Sequence, residues 1–371
     1  MILFRWFIIA GALTGFLIAL FLLYQKRDRN YYLSGFLIGF SYFLISPEII
    51  RSSLESFPHV VATSFPLLFV FGPFLYIYAH KLARSQLSFR IKILHCAPVL
   101  LAFVYFSPFY LKSSDFKIQF VKQLGIDGPP LDFKIIWAIA IVHILFYTGR
   151  VKVLLSNLNW NLKKRYSNLE QLKLDWLQKF VTSNIVLWSL YFIGSVLLFL
   201  NIDSDPWGIT DQLLGIFGAF MVYLLGFYVL SQPELIVESL EREQLSHSKH
   251  HLINKDRQKE LLVQLESYMI RERPFLNPDL SLNELAKLTD IKPRQLSEII
   301  NTTKGVNFYD FINTYRLKEA KRLLICSEFN HYTINAIAYD AGFRSKSTFN
   351  KFFRQNERES PSEFRKRNTV K

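Results

Sequence analysis

The chain has 371 residues, half of them hydrophobic, with 35 Phe and a formal net charge of +14. That length suits two or three domains, and the composition is too apolar for an ordinary soluble protein. The two cysteines, Cys96 and Cys326, exclude a disulfide framework and a zinc site, while the excess of Lys and Arg suits a partner rich in phosphate or anionic lipid.

Met1 to Tyr24 is apolar, but it lacks a strong basic start and a small-residue cleavage site, so it reads as a membrane span rather than a signal peptide. A span needs about 20 mostly apolar residues. Seven segments are expected to qualify: Trp6–Tyr24, Tyr31–Ile50, Val60–His80, Ile91–Tyr110, Phe133–Leu155, Phe180–Asn201 and Thr210–Leu230. Ser and Pro interrupt the second and third. Lys and Arg cluster at 26–29, at 81–92 and around 150–179, whereas the loop between the sixth and seventh segments carries only acids. By the positive-inside rule, seven spans place the N-terminus outside and the C-terminal tail in the cytoplasm, at the inner membrane of a bacterium. His95, His143 and Asn184 fall in or near apolar runs and are the candidate sensor residues. A neutral side chain hydrogen-bonded between helices is the competing explanation. No metal, cofactor or catalytic constellation is expected in the spans, so the chain does not read as an enzyme.

Residues 233–255 read as a cytoplasmic linker helix. Its leucines do not sustain heptads, and His247, His250 and His251 read as solvated. An amphipathic helix over Asp256–Glu272 then opens the last domain, 256–371.

Two helix-turn-helix units are expected there, at about 281–301 and 333–355. In the first, Ser281-Leu-Asn-Glu284 forms a capping box, Leu282, Leu285, Ala286 and Thr289 share one face, and Asp290 takes the left-handed turn position. Pro293 opens a second helix with Leu296, Ile299 and Ile300 inward. In the second unit Thr333 caps a helix with Ile337, Ala338 and Ala341 inward, Gly342 turns the chain, and Ser345 caps a helix with Phe349, Phe352 and Phe353 inward. Ala286 and Ala338 occupy matching positions. A longer helix over Asn307–Ile325 joins the units, and a rigid joint of that kind can set them about 34 Å apart, one DNA turn. The outward residues are Arg294, Ser297 and Glu298 on one helix and Lys346, Ser347, Asn350 and Lys351 on the other, types that bond base edges in the major groove. Arg316, Lys321, Arg322, Arg354, Arg365, Lys366 and Arg367 are expected on phosphates.

The run Ile337-Ala338-x-x-x-Gly342-Phe343-x-Ser345-x-Ser347-x-Phe349-x-x-x-Phe353, followed by Pro361 and Phe364-Arg365, resembles the signature of the AraC/XylS family of bacterial transcription regulators. Phe308 to Leu324 resembles that family's linking helix. The resemblance covers about a third of the chain. It implies a seven-helix bilobal domain that reads promoter DNA in two adjacent major grooves with the outward residues named above. Three positions depart from the family pattern: Asp290 and Arg358, where Gly is usual, and Lys292, where Ser is usual.

The expected whole is all-α: a seven-span helical domain over 1–232, the linker, and a tandem helix-turn-helix domain. The reading is a membrane-anchored one-component transcription regulator whose spans sense a signal. Its expected partners are double-stranded promoter DNA, the lipid bilayer, a signal ligand, a second copy in a homodimer, and RNA polymerase. The alternative is a membrane transporter or enzyme with an autoregulatory DNA-binding tail. Release of the tail by proteolysis near 232–255 is a third route.

Overall fold

Helices account for nearly all the order in the computed structural model, which describes residues 2–83, 85, 87–169, 175–199, 209–230 and 255–369. Among these residues no strand forms, so the all-α expectation holds. The chain divides into two compact units: Met1–Ser156 with Leu174–Glu234, and Asn157–Lys173 with Leu235–Lys371. The expected division near residue 232 treats each domain as one continuous stretch, whereas both units are made of two. The linker expected at 233–255, with its three histidines, lies outside the described residues except for Lys255.

The first unit contains α1 (Ile2–Tyr24), α2 (Asp28–Ser53), α3 (Leu68–Leu82), α4 (Phe89–Tyr110), α5 (Ser114–Asp127), most of α6 (Leu131–Lys163), α7 (Asp175–Phe199) and α8 (Ile209–Leu230). Six of these, α1, α2, α4, α6, α7 and α8, are long and apolar enough to cross a bilayer. Among the described residues the count of seven is therefore corrected to six. The third expected span breaks because Pro58, Thr63, Ser64 and Pro66 leave a 3-10 turn and irregular chain before α3. The 15 residues of α3 reach only about 22 Å, short of a hydrocarbon core of about 30 Å.

α3 is instead enclosed by its neighbours. Leu68, Phe71, Leu75 and Ala79 are all buried, and Phe71 meets Phe36 and Phe40 of α2 and Trp188 of α7 at ring distances of 5.7, 5.7 and 5.9 Å. The outward faces are as apolar as the core. Leu17 of α1, Leu101 of α4 and Phe146 of α6 are 67%, 69% and 62% exposed. Such faces are costly in water and at home in lipid.

The second unit contains the end of α6 and α9 (Lys255–Arg271), α10 (Leu282–Thr289), α11 (Pro293–Thr303), α12 (Phe308–Ile325), α13 (Ile334–Asp340), α14 (Lys346–Glu357) and α15 (Pro361–Thr369). It has two cores. Leu261, Leu265 and Met269 of α9 pack with Leu285, Leu296, Ile299 and Ile300, and with Phe308, Phe311 and Ile312 from the first half of α12. Leu317, Ala320, Leu323 and Leu324 from its second half pack with Ile337, Ala338, Phe349, Phe353 and Phe364. One helix thus serves both lobes, and α9 to α15 supply the seven helices and two lobes that the family resemblance implies.

Candidate nucleic-acid interface

Local chemistry sets each helix-turn-helix. Ser281 Oγ accepts the Glu284 amide at 3.2 Å and starts α10. Only this half of the expected capping box is made, because Glu284 Oε1 accepts from Asn277 Nδ2 instead, at 3.2 Å. Asp290 ends α10 in the left-handed conformation, φ 54°, as its position demands. Thr333 Oγ1 caps α13 through the Ala336 amide at 3.1 Å, and Ser345 Oγ caps α14 through the Thr348 amide at 3.3 Å. The turns close alike. Ile291 N–H donates to Ala286 O at 3.1 Å, and Phe343 N–H donates to Ala338 O at 2.9 Å. The two alanines therefore occupy equivalent places in the two units, and both are buried, Ala286 3% and Ala338 0% exposed. Ser360 and Glu363 make a complete reciprocal capping box at the start of α15, where Pro361 is buried.

Gly342 is needed for two reasons. Its φ is +89°, and an added Cβ would lie 2.4 Å from Phe275 O and 2.9 Å from Leu276 Cα. The turn of the second helix-turn-helix therefore rests directly on the backbone of the connection between α9 and α10. Asp279 of that connection also pairs with Arg344 of the same turn.

The outward residues differ in availability. Arg294 is exposed on α11, while Ser297 and Glu298 are half-buried. Ser297 accepts twice from Asn301 Nδ2, at 2.8 Å through its carbonyl and 3.2 Å through Oγ, and Glu298 Oε1 accepts from Gln258 Nε2 of α9 at 3.4 Å. On α14, Lys346, Ser347, Lys351 and Arg354 are exposed and Asn350 is half-buried. The second helix presents the stronger positive face.

Of the residues expected on phosphates, Lys366 is exposed, and three others sit in ion pairs: Lys321 with Glu357 at 2.8 Å, Arg322 with Glu319 at 2.8 Å and Arg367 with Glu359 at 2.7 Å. Pairs this accessible contribute about 0–1 kcal/mol and give way readily to a phosphate. Arg365 is half-buried and donates to Tyr332 O at 2.7 Å.

Arg316 is not on the surface, which corrects its expected role. It is 1% exposed. Its guanidinium donates to Phe275 O and Asn277 O at 2.8 Å each, to Asn313 Oδ1 at 3.1 Å, and to Ser167 O and Oγ at 3.2 and 3.1 Å. Burial pushes its pKa down to about 10, so it stays charged at neutral pH. The helical period carried a signal for this: Ile312, Asn313, Arg316, Leu317 and Ala320 share the buried face of α12.

The three polar residues expected as sensors are not brought together by a common bond. His95 Nδ1 meets Tyr147 OH at 2.6 Å, and Asn184 Nδ2 donates within its own helix to Phe180 O at 3.1 Å. Neither ring nitrogen of His143 has a partner among the described residues. A charged group in this unit escaped the sequence reading. Glu48 of α2, 2% exposed, accepts from Arg5 Nε at 2.6 Å and Arg51 Nη1 at 2.5 Å. Its place at i+3 from Arg51 was visible in the sequence; Arg5 was not.

Residues 285–367 match the helix-turn-helix domain family. The chain is 26% identical over 141 residues to an uncharacterized HTH-type transcriptional regulator of Staphylococcus aureus strain COL, covering 37% of this chain and 18% of that protein. It is 31% identical over 87 residues to the uncharacterized HTH-type transcriptional regulator YijO of Escherichia coli K12, covering 24% and 30% of the two chains. The regulatory protein PocR of Salmonella typhimurium is 31% identical over 90 residues, 24% of this chain and 29% of PocR. No solved structure matches. These matches span less than a third of each relative, and the C-terminal part of this chain is a helix-turn-helix domain of the kind those regulators carry.

Proposed function

We propose that this protein is a membrane-anchored one-component transcription regulator of the AraC/XylS type, with the first unit as sensor and the second as promoter-binding domain. The observation that carries the reading is the pairing, in one chain, of six membrane-length helices with two helix-turn-helix units on a shared linking helix. The exposed Arg294, Lys346, Ser347 and Lys351 with half-buried Asn350 are the base readers; Arg354, Lys366 and the ion-paired Lys321, Arg322 and Arg367 hold phosphates. Ser297 and Glu298 read only after exchanging their internal partners.

The cytoplasmic side of the tail does not depend on the corrected span count, whereas the N-terminus, expected outside with seven spans, falls on the cytoplasmic side with six. Two spans, α7 and α8, separate the segment ending α6 from the tail, so both lie on one face of the bilayer. That segment carries Lys163, Lys164 and Arg165, the charge expected of a cytoplasmic loop.

Genomic footprinting of the full-length protein, beside a variant with Lys346→Ala and Lys351→Ala, tests the reading. Discrete promoter sites that vanish in the variant are expected. Intact membrane-inserted protein with no sites under any growth condition would shift the balance to a transporter or enzyme with a vestigial tail.

A further inference from the structure

The second unit contains a short stretch of chain from far upstream, and that stretch has a defined seat. Arg165–Asn168 lies against the connection into α10 as an isolated antiparallel bridge, Tyr166 opposite Ser281. Leu282 N–H donates to Arg165 O at 2.9 Å and Ser167 N–H to Leu280 O at 3.3 Å. The Ser167 hydroxyl adds a bond to Leu280 O at 2.5 Å. Its carbonyl takes Asn313 Nδ2 at 3.3 Å and Arg316 Nη1 at 3.2 Å from α12. Asn168 Nδ2 reaches Asp279 Oδ1 at 3.4 Å.

Arg316 is the centre of this seat. Its acceptors are all uncharged oxygens, drawn from the strap, from the 275–277 connection and from Asn313. A buried cation held this way is satisfied in one arrangement only, because losing any segment strands N–H groups that have no access to water. The connection seated on it is the same one on which Gly342 rests and to which Arg344 is paired. The strap, α12, the first lobe and the turn of the second lobe thus meet at one joint.

We propose that Arg165–Asn168 and Arg316 are positioning residues for DNA recognition: the strap clamps the 274–282 connection onto α12 and thereby sets the offset between the two recognition helices. This rests on the proposed function in that the two helices read adjacent major grooves, for which the offset must match one DNA turn. The strap acts through the joint between the lobes. It follows α6 by one residue, Lys164, so the joint is tied covalently to a membrane-length helix.

A redox-locked full-length protein in lipid nanodiscs tests this. Tyr166 and Ser281 form a non-hydrogen-bonded antiparallel pair, in which Cα atoms stand about 4.5 Å apart, within the range a disulfide bridges. In a Cys96→Ala, Cys326→Ala background, Tyr166→Cys and Ser281→Cys are combined with Ser167→Gly, which removes the hydroxyl bonds of the strap; the same two cysteines with Ser167 kept, in the reduced state, are the reference that accounts for the Ser281 cap lost from α10. Nuclease footprints are taken on the strongest genomic site. The reduced protein is expected to bind at least tenfold more weakly and to protect one major groove instead of two. Oxidation of the same sample is expected to restore both, whereas Ser167→Gly without the new cysteines remains weak in either state. Because a disulfide also stabilises a fold, the footprints are taken where proteolysis shows the reduced second unit still folded, so that recovery reports the offset and not stability. Unchanged affinity and footprint length in the reduced protein, tighter binding, or no recovery on oxidation would overturn the proposal. A parent protein that leaves no footprint anywhere would instead bring down the proposed function itself.

Discussion

Replacing Gly342 by Ala gives the sharpest check on how the two lobes are joined. Two separate penalties arise. An L-residue at φ +89° costs roughly 1–2 kcal/mol. The new methyl group would also stand 2.4 Å from Phe275 O and 3.0 Å from Leu276 O, both backbone atoms that cannot swing aside. Forcing such a contact costs about 1–3 kcal/mol more. The total, about 2–5 kcal/mol, is a large part of the 5–15 kcal/mol typical of a domain. Gly305 supplies the control, since its φ is +67° and nothing lies within 4 Å of its missing Cβ. Gly305→Ala should therefore show the conformational penalty alone, about 1 kcal/mol. Urea-dependent proteolysis of the full-length protein, read from a C-terminal tag, measures both. If Gly342→Ala costs no more than Gly305→Ala, the turn does not rest on the 275–276 backbone, and the account of the joint fails.

Four other outcomes follow from the same geometry. Asp290→Gly and Arg358→Gly relieve non-glycine residues at φ 54° and 59°, and each should raise the urea midpoint by the equivalent of about 0.5–1 kcal/mol. Thr333→Ala removes the α13 cap and should cost about 1 kcal/mol in the same assay, whereas Thr333→Ser should be nearly neutral. Lys366→Ala should lower the slope of log affinity against log salt by about 1 without changing which promoters are bound; a changed site preference would place it on a base. Glu319 is pushed up by burial, but hydrogen bonds from Arg322 and Arg273 more than offset this and leave its pKa lowered. Its contribution should thus be complete above the unfolded carboxylate range, about pH 4.3, and be lost as pH falls below that through the folded value. A Glu319→Gln variant with an unaltered acid limb in urea melts would contradict the assignment.

Much of the DNA-binding part could be read directly from the chain, because its determinants are local. Ser281, Thr333 and Ser345 cap the helices they precede, and Asp290 and Gly342 take the backbone angles their turns need. Helical periodicity assigned Leu296, Ile299, Phe349 and Phe353 to the core. What escaped is non-local. The type of Arg316 suggests a phosphate ligand, although most of its neighbours on the helical face are apolar; four of its five acceptor contacts lie 39 to 149 residues away in sequence and leave no spacing signal. The third span failed for a different reason. Its hydropathy is real, but Pro58 and Pro66 remove backbone donors within nine residues, and a continuous helix cannot survive that. The helix α5 lay in a loop of mixed charge, and only the Ser113 cap, with Oγ accepting the Phe116 amide at 3.3 Å, hinted at it.

The split makeup of the second unit bears on how such a protein can be inherited and rearranged. A regulator whose tail is a single cassette can exchange it by one recombination event. Here Ser167 and Arg316 share a bond across 149 residues of chain. A junction cut anywhere between them transfers a guanidinium without two of its five acceptor contacts. A functional transplant onto another body needs two grafts, the tail and its tetrapeptide, in register. The ribosome meets the same constraint in time: the tetrapeptide is made long before α12, and the second unit is complete only after two membrane-length helices, α7 and α8, have been made between them.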